Sequence, residues 1–413
     1  MLVALDLLVA AVPAAAPAAA QDRHDPGLLA PREAARLPEG ISSVVVPLRT
    51  SGEHILLPVA VAGSAPIWVV LDTGMPGPGV LLYDGPRVDA LKLAYGPMRA
   101  QVGGAGGAGR TFEARIAPDV TLRIGDAEIS GAIATVLPRV PFLSATHDGI
   151  IGNAVFRNFV VTIDRDRGVI ELTRPEAFVP PPGASEVAIE LVRNTPYVEA
   201  GLVANDGRVV ALDLVLDLGA THPVSLNATS GPEIVVPEGA LRTRVGRGMS
   251  GPIAGRVGRI PGLVLGGHRL ENPIATFPDP AHENPRGLDS RNGNLGIGAL
   301  GRFNFSIDYH AKKLYLAPNH RFAEPFDWDM SGLVLEPGSD DRLVVAEVAP
   351  GSPAAEAGIA AGDAVIAIDG EAIAGRDYPR VRERLRTEGA EVTLECRRGD
   401  QARTAKLHLR RRI

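Results

Sequence analysis

Apolar positions along this chain fall in short runs broken by Gly, Pro, Ser and Asp. Residues 44–48, 55–61 and 67–71 are such runs, followed by 111–116, 120–124 and 127–137. Runs of this length, rich in β-branched residues and bounded by turn formers, predict strands of a compact all-β unit. The run Trp68-Val69-Val70-Leu71 ends in Asp72-Thr73-Gly74, and a later run ends in Asp217-Leu218-Gly219-Ala220. A buried carboxylate is costly unless it is partnered, so packing alone does not explain an aspartate at the end of an apolar strand.

The second half of the chain repeats the order of the first. Runs at 187–191, 197–203 and 209–216 lead into Asp217, as the earlier runs lead into Asp72. Each aspartate is followed at similar distance by a glycine-rich segment, residues 102–109 and 246–252. Gly293-Asn294-Leu295-Gly296 then answers Gly149-Ile150-Ile151-Gly152, and residues 303–308 answer 159–164. Four features in the same order imply two structural repeats, placed at 41–175 and 184–319 with a Pro-rich linker at 179–183.

Beyond residue 331 the pattern changes. Strand-like runs at 333–335 and 343–348 precede Ser352-Pro353-Ala354-Ala355-Glu356-Ala357-Gly358, a short helix with Ser as N-cap, Pro at its first position and Gly as stop. A strand over 363–368, a helix over 378–387 and closing strands at 392–396 and 405–409 complete a third unit, residues 331–411.

Composition narrows the function. The 413 residues suffice for several cores, and an aromatic content of 4% means that aliphatic side chains build them. A net charge of −6 argues against a nucleic-acid partner. Lysine occurs only at 92, 312, 313 and 406, so the positive charge is nearly all arginine. Cys396 is the single cysteine, so no internal disulfide forms, and its strand pattern reads as a small buried hydrophobe. Residues 1–20 read as an export signal, with an apolar stretch and a small-residue end at Ala18-Ala19-Ala20 but no positive start. The chain is therefore expected in the periplasm or secreted, with no integral membrane segment after signal removal.

These residues carry a family resemblance. Asp72-Thr73-Gly74, a glycine-rich segment, Ile150-Ile151-Gly152 and a Phe-x-x-x-Ile-Asp strand resemble the retropepsin-like aspartic proteases, in two copies. Residues 348–358, with Gly362-Asp363 after them, resemble a PDZ domain. The implied fold is mainly β: two retropepsin-like acid-protease lobes related by a pseudo-twofold, then a C-terminal PDZ domain.

The resemblance implies that Asp72 and Asp217 share a proton and activate water for peptide hydrolysis, with no cofactor and no metal. Thr73, Gly74, Gly219 and Thr221 would support the pair. Gly104, Gly106, Gly107, Gly248, Met249 and Ser250 would belong to flaps that close over substrate. In the PDZ unit, Gly332, Leu333, Val334 and Leu335 would take a peptide C-terminus beside the helix at 378–385. The partner is thus a polypeptide substrate or a peptide C-terminus. The sequence departs from the family pattern at Leu218, which has no hydroxyl, at Met75 and Pro76 in the first lobe, and at Asn294. A catalytically idle peptide-binding or scaffold protein that keeps the cleft is the alternative.

Other chemistries lack a vehicle. Gly104-Ala105-Gly106-Gly107-Ala108-Gly109 fits a dinucleotide-binding spacing, but a strand pattern follows where a helix is required. The nine histidines show no metal-ligand spacing, and His222 reads as a loop-surface residue. No serine-hydrolase motif is present.

Overall fold

The computed structural model describes residues 34–104, 111–139, 146–283, 291–338 and 340–413, with the backbone of Ala10–Val12. Apart from that backbone, the expected leader at 1–20 lies outside the described residues, as do Gly106 and Gly107.

The first repeat is built round the strand Ile67–Leu71, which is buried almost throughout. It runs parallel to Gly149–Ile151, which pairs antiparallel on its other side with Val80–Tyr83. Burial on both faces explains why this strand reads as a continuous apolar run rather than an alternating one. The second repeat weaves Val209–Asp217, Gly293–Gly296 and Val224–Leu226 in the same way. The register is also the same. Gly149 lies opposite Val69, and Gly293 lies opposite Leu214, each three residues before an aspartate. A side chain at either glycine would collide with backbone: a Cβ at Gly149 would sit 2.1 Å from the Leu81 carbonyl oxygen, and one at Gly293 1.9 Å from that of Ser225. That close approach is the physical reason for the repeated Gly-x-x-Gly.

Between the lobes runs a shared ladder in the order Ser43–Pro47, Val169–Thr173, Val160–Asp164, Phe303–Asp308, Lys313–Pro318 and Ser185–Val192. Its centre pairs the two repeats directly, with Thr162 opposite Ser306 and their hydroxyls 2.8 Å apart. One large apolar cluster, mostly aliphatic, extends through both lobes.

One expectation needs correction. Residues 111–116 and 120–124 form a single strand, Thr111–Ile124, instead of two. Pro118 and Asp119 interrupt the apolar pattern, yet the ladder to Ala127–Leu137 continues past them through a register shift, with Asp119 at φ 55°. A bulge absorbs the break.

The C-terminal domain has its own core, including Leu343, Val381, Val392, Leu394 and Leu407. Its strands run in the order Leu333–Pro337, Leu343–Val348, Ala364–Ile368, Glu391–Arg398 and Gln401–His408, which leaves Leu333–Pro337 at an edge. The Ser352 hydroxyl caps the helix Pro353–Glu356 by accepting from the Ala355 amide at 3.3 Å, a contribution of about 1 kcal/mol. The second helix, Tyr378–Arg384, is shorter than expected. Leu385 turns into the core, and its carbonyl accepts from the Met330 amide at 3.0 Å. Cys396 is buried, and that burial pushes its thiol up to about 11.

Candidate active site between the lobes

Each aspartate stands where its strand leaves the weave. The Asp72 amide donates to the Ile151 carbonyl at 2.9 Å, and Asp217 pairs with Gly296. The turns that follow are equivalent. The Gly74 amide donates to Asp72 Oδ1 at 2.7 Å, and the Gly219 amide donates to Asp217 Oδ1 at 3.0 Å. Asp217 accepts further from the Ala220 amide at 3.1 Å and from Asn294 Nδ2 at 2.8 Å. Amide donors of this kind offset the cost of holding a carboxylate away from water. Asn294, a departure at sequence level, supplies a charge-assisted donor to Oδ2.

The two turns meet across the lobe junction. A Cβ on Gly219 would fall 2.4 Å from Asp72 Oδ2, so the Asp72 carboxylate rests on the bare α-carbon of the opposite turn. Thr73 ties the junction: its hydroxyl donates to the Leu216 carbonyl at 2.5 Å and accepts from the Leu218 amide at 3.0 Å. Leu218 packs fully buried in the core and has no hydroxyl with which to return the bond. A histidine makes the second tie. Buried His54, from the strand His54–Val61, lies with Nε2 3.1 Å from the Gly219 carbonyl oxygen. A carbonyl only accepts, so this fixes the tautomer with the proton on Nε2. Burial lowers the His54 pKa to about 4, so the ring is neutral through the physiological range. His54 was not identifiable from sequence, since it lies 165 residues from its partner.

Two expectations near Asp217 are corrected. The Thr221 hydroxyl has no hydrogen-bond partner, so it does not support Asp217. His222 is buried at 2% exposure instead of lying on a loop surface, and burial lowers its pKa to about 4. The loop carrying it passes under the second weave, where its carbonyl would be 2.1 Å from a Cβ on Gly296.

A polar layer surrounds Asp72. The Tyr83 and Tyr309 hydroxyls are buried without hydrogen-bond partners, and both pKa values are raised, first by burial and then by the charge of Asp72. Tyr309 stacks on Phe156 at 5.4 Å. His147 lies 5.5 Å from the Tyr83 ring and 5.9 Å from that of His54, with its pKa lowered to about 3 by burial and then by His54.

Two hairpins cover the site. The first pairs Arg99–Gly103 with Thr111–Ile124, and the second pairs Leu241–Gly248 with Gly251–Arg259. The two are joined where the Gly104 amide donates to the Ser250 hydroxyl at 3.2 Å. Met249 is only 1% exposed and packs into the layer formed by Val70, Met75 and Tyr83. Gly248 lies opposite Gly251 at the turn. Under this cover Asp72 and Asp217 are 1% and 0% exposed.

In the C-terminal domain, Leu333, Val334 and Leu335 lie on the edge strand, and Gly332, at φ 81°, precedes it. These four residues and the helix Tyr378–Arg384 line one wall of a cavity, while His54, Thr221 and Arg247 of the lobes line the other. The Gly332 amide is occupied: it donates to Asp329 Oδ1 at 2.6 Å, and the Leu333 amide donates to the Ser331 hydroxyl at 3.0 Å. A peptide carboxylate at this loop would have to displace Asp329, whose own pKa is raised by burial. Among the described residues no group of His, Cys, Asp and Glu could hold a metal ion. No helix among them is long and apolar enough to cross a membrane.

Comparison with known proteins adds the following. No curated protein matches the chain. Among solved structures, the photosystem II D1 C-terminal processing protease is 29% identical over 23% of this chain and 26% of its own, with a TM-score of 0.20. The chain thus spans about a quarter of that protein's length. An aspartic proteinase from Irpex lacteus is 12% identical over 68% of this chain and 99% of its own, with a TM-score of 0.43. Residues 344–398 match the PDZ domain family. A PDZ domain therefore stands at the C-terminal end of this chain, and with it a module for binding peptides.

Proposed function

We propose that the chain is a retropepsin-like aspartic endopeptidase in which Asp72 and Asp217 together activate water against a peptide bond. The observation that carries this reading is the meeting of the two turns, with the Asp72 carboxylate seated on Gly219, two residues after Asp217. Two carboxylates in one buried place do not both ionise freely, so they hold a single proton between them. The ionised member takes a proton from water as it attacks, and the protonated member donates to the scissile carbonyl. Neither step needs a covalent intermediate. Thr73 and His54 keep the turns in register across the lobes, and Asn294 donates to Asp217 Oδ2 while the turn amides donate to Oδ1.

The PDZ domain would hold a polypeptide chain end in the cavity that it shares with His54 and Thr221 of the lobes, raising its effective concentration near the site. The second reading, an idle scaffold, is favoured by the almost complete burial of both aspartates. Digestion of a random peptide library from acidic to neutral pH separates the two. Under the endopeptidase reading wild-type protein cleaves internal bonds, while Asp72→Asn and Asp217→Asn do not. Absence of cleavage by wild type, or equal cleavage by all three, sinks it.

A further inference from the structure

The aspartates are sealed from solvent, so a polypeptide reaches them only if a hairpin lifts. The second hairpin is held at two places. Its tip is fastened to Gly104 through Ser250. Its outer strand, Leu241–Gly248, is the edge of its sheet and faces the edge strand Leu333–Pro337 of the PDZ domain across the shared cavity. Arginines bridge that gap. Arg244 and Arg247 both donate to Glu336 Oε1, at 2.6 Å and 2.5 Å, and Arg244 also pairs with Glu347 on the neighbouring PDZ strand. The pairs are half-buried, with side-chain exposures of 24% for each arginine and 26% for Glu336.

A peptide added as a strand beside Leu333–Pro337 would run through the space these arginines cross. The same cavity carries Arg382, Arg386 and Arg412 beside Gly332, together with Glu53, Asp329 and Glu383, and a peptide's free carboxylate would take the place that the Asp329 carboxylate now holds at the Gly332 amide. The occupant is therefore an extended polypeptide with its own C-terminus. We propose that such a chain end unlatches the second hairpin by displacing Arg244 and Arg247 from Glu336, so that PDZ occupancy opens the way to the aspartates. The consequence for catalysis rests on the endopeptidase reading; the movement of the hairpin does not.

The test uses full-length Asp217→Asn protein, so that no turnover intervenes, and random-sequence peptides with free C-termini as the probe. The same peptides amidated at the C-terminus are the control. Hydrogen exchange of the amides at 241–251 reports the latch. Free-acid peptides accelerate that exchange about tenfold, the response to losing a charge network that favours closure by a decade. Amidated peptides leave it unchanged. Glu336→Ala accelerates it to the same degree without peptide, and peptide then adds nothing. Failure of free-acid peptides to bind, binding without faster exchange, or unaltered exchange in Glu336→Ala overturns the proposal. Cleavage of an unfolded protein by the chain with native aspartates is measured alongside. If exchange responds as stated and nothing is cleaved, the latch stands and the endopeptidase reading falls.

Discussion

Removing the Thr73 hydroxyl tests the lobe junction. Thr73→Val keeps shape and volume but deletes both cross-lobe bonds, stranding the Leu218 amide and the Leu216 carbonyl. Thr73, Leu216 and Leu218 are all fully buried, so water does not replace what is lost. A buried polar group left unpaired costs about 1–3 kcal/mol, and two of them give an expected loss of about 2–6 kcal/mol. Thr73→Ser retains the hydroxyl and loses one methyl, for roughly 1 kcal/mol. The PDZ domain has a separate core, so unfolding of the whole chain need not be two-state. Urea unfolding is therefore followed by Trp68 fluorescence in a Trp328→Phe background, which reports the lobes. Turnover falls in the Val variant and survives in the Ser variant. Equal stability of the two, within about 0.5 kcal/mol, refutes the claim that this hydroxyl bonds the lobes together.

Other consequences follow from the same site. His54, His147 and His222 are buried with folded-state pKa values of about 4, 3 and 4 against 6.5 for the free side chain. The unfolded chain binds more protons between those limits, so stability is complete above about pH 6.5 and falls as pH drops through 6 to 4. Urea midpoints across that range check this, and a midpoint flat from pH 7 to 4 contradicts it. Gly219→Ala would drive a methyl into the Asp72 carboxylate, 2.4 Å away; turnover is expected to fall by at least about 100-fold, since small misplacements at a reacting group are that costly. Asn294→Leu removes the donor to Asp217 Oδ2 and is expected to destabilise the lobes by about 1.5–3 kcal/mol, as for a hydrogen bond to a charged group, measurable by the same urea assay. Asp329→Ala frees the Gly332 amide, and free-acid peptides should then bind more tightly in a fluorescence titration; weaker binding would mean that Asp329 shapes the loop instead of competing for it.

Features with a local cause were legible in the sequence. Asp72 and Asp217 announced themselves because each ends an apolar run, and Ser352 because an N-cap has a fixed position relative to its helix. The paired Gly-x-x-Gly segments were visible as repeats, although their reason, close backbone approach inside the weave, appears only in three dimensions. His54 and Asn294 were missed or misread because their partners lie 165 and 77 residues away, and a lone polar residue in a strand carries no mark of what it faces. The family resemblance implies a supporting hydroxyl at Thr221, yet that hydroxyl is buried without a hydrogen-bond partner. Arg244, Arg247 and Glu336 were invisible for the opposite reason: arginine and glutamate are so common here that no pattern separates a latch from a solvated surface.

The most direct test of the account is a comparison of kcat/KM for Asp72→Asn, Asp217→Asn and the double variant on one cleavable peptide. If the two carboxylates act as a unit sharing one proton, either substitution alone removes nearly all of the activity, and the second removes little more. Losses that multiply, as for independent groups, or a single variant that keeps wild-type kcat/KM, would contradict a shared pair.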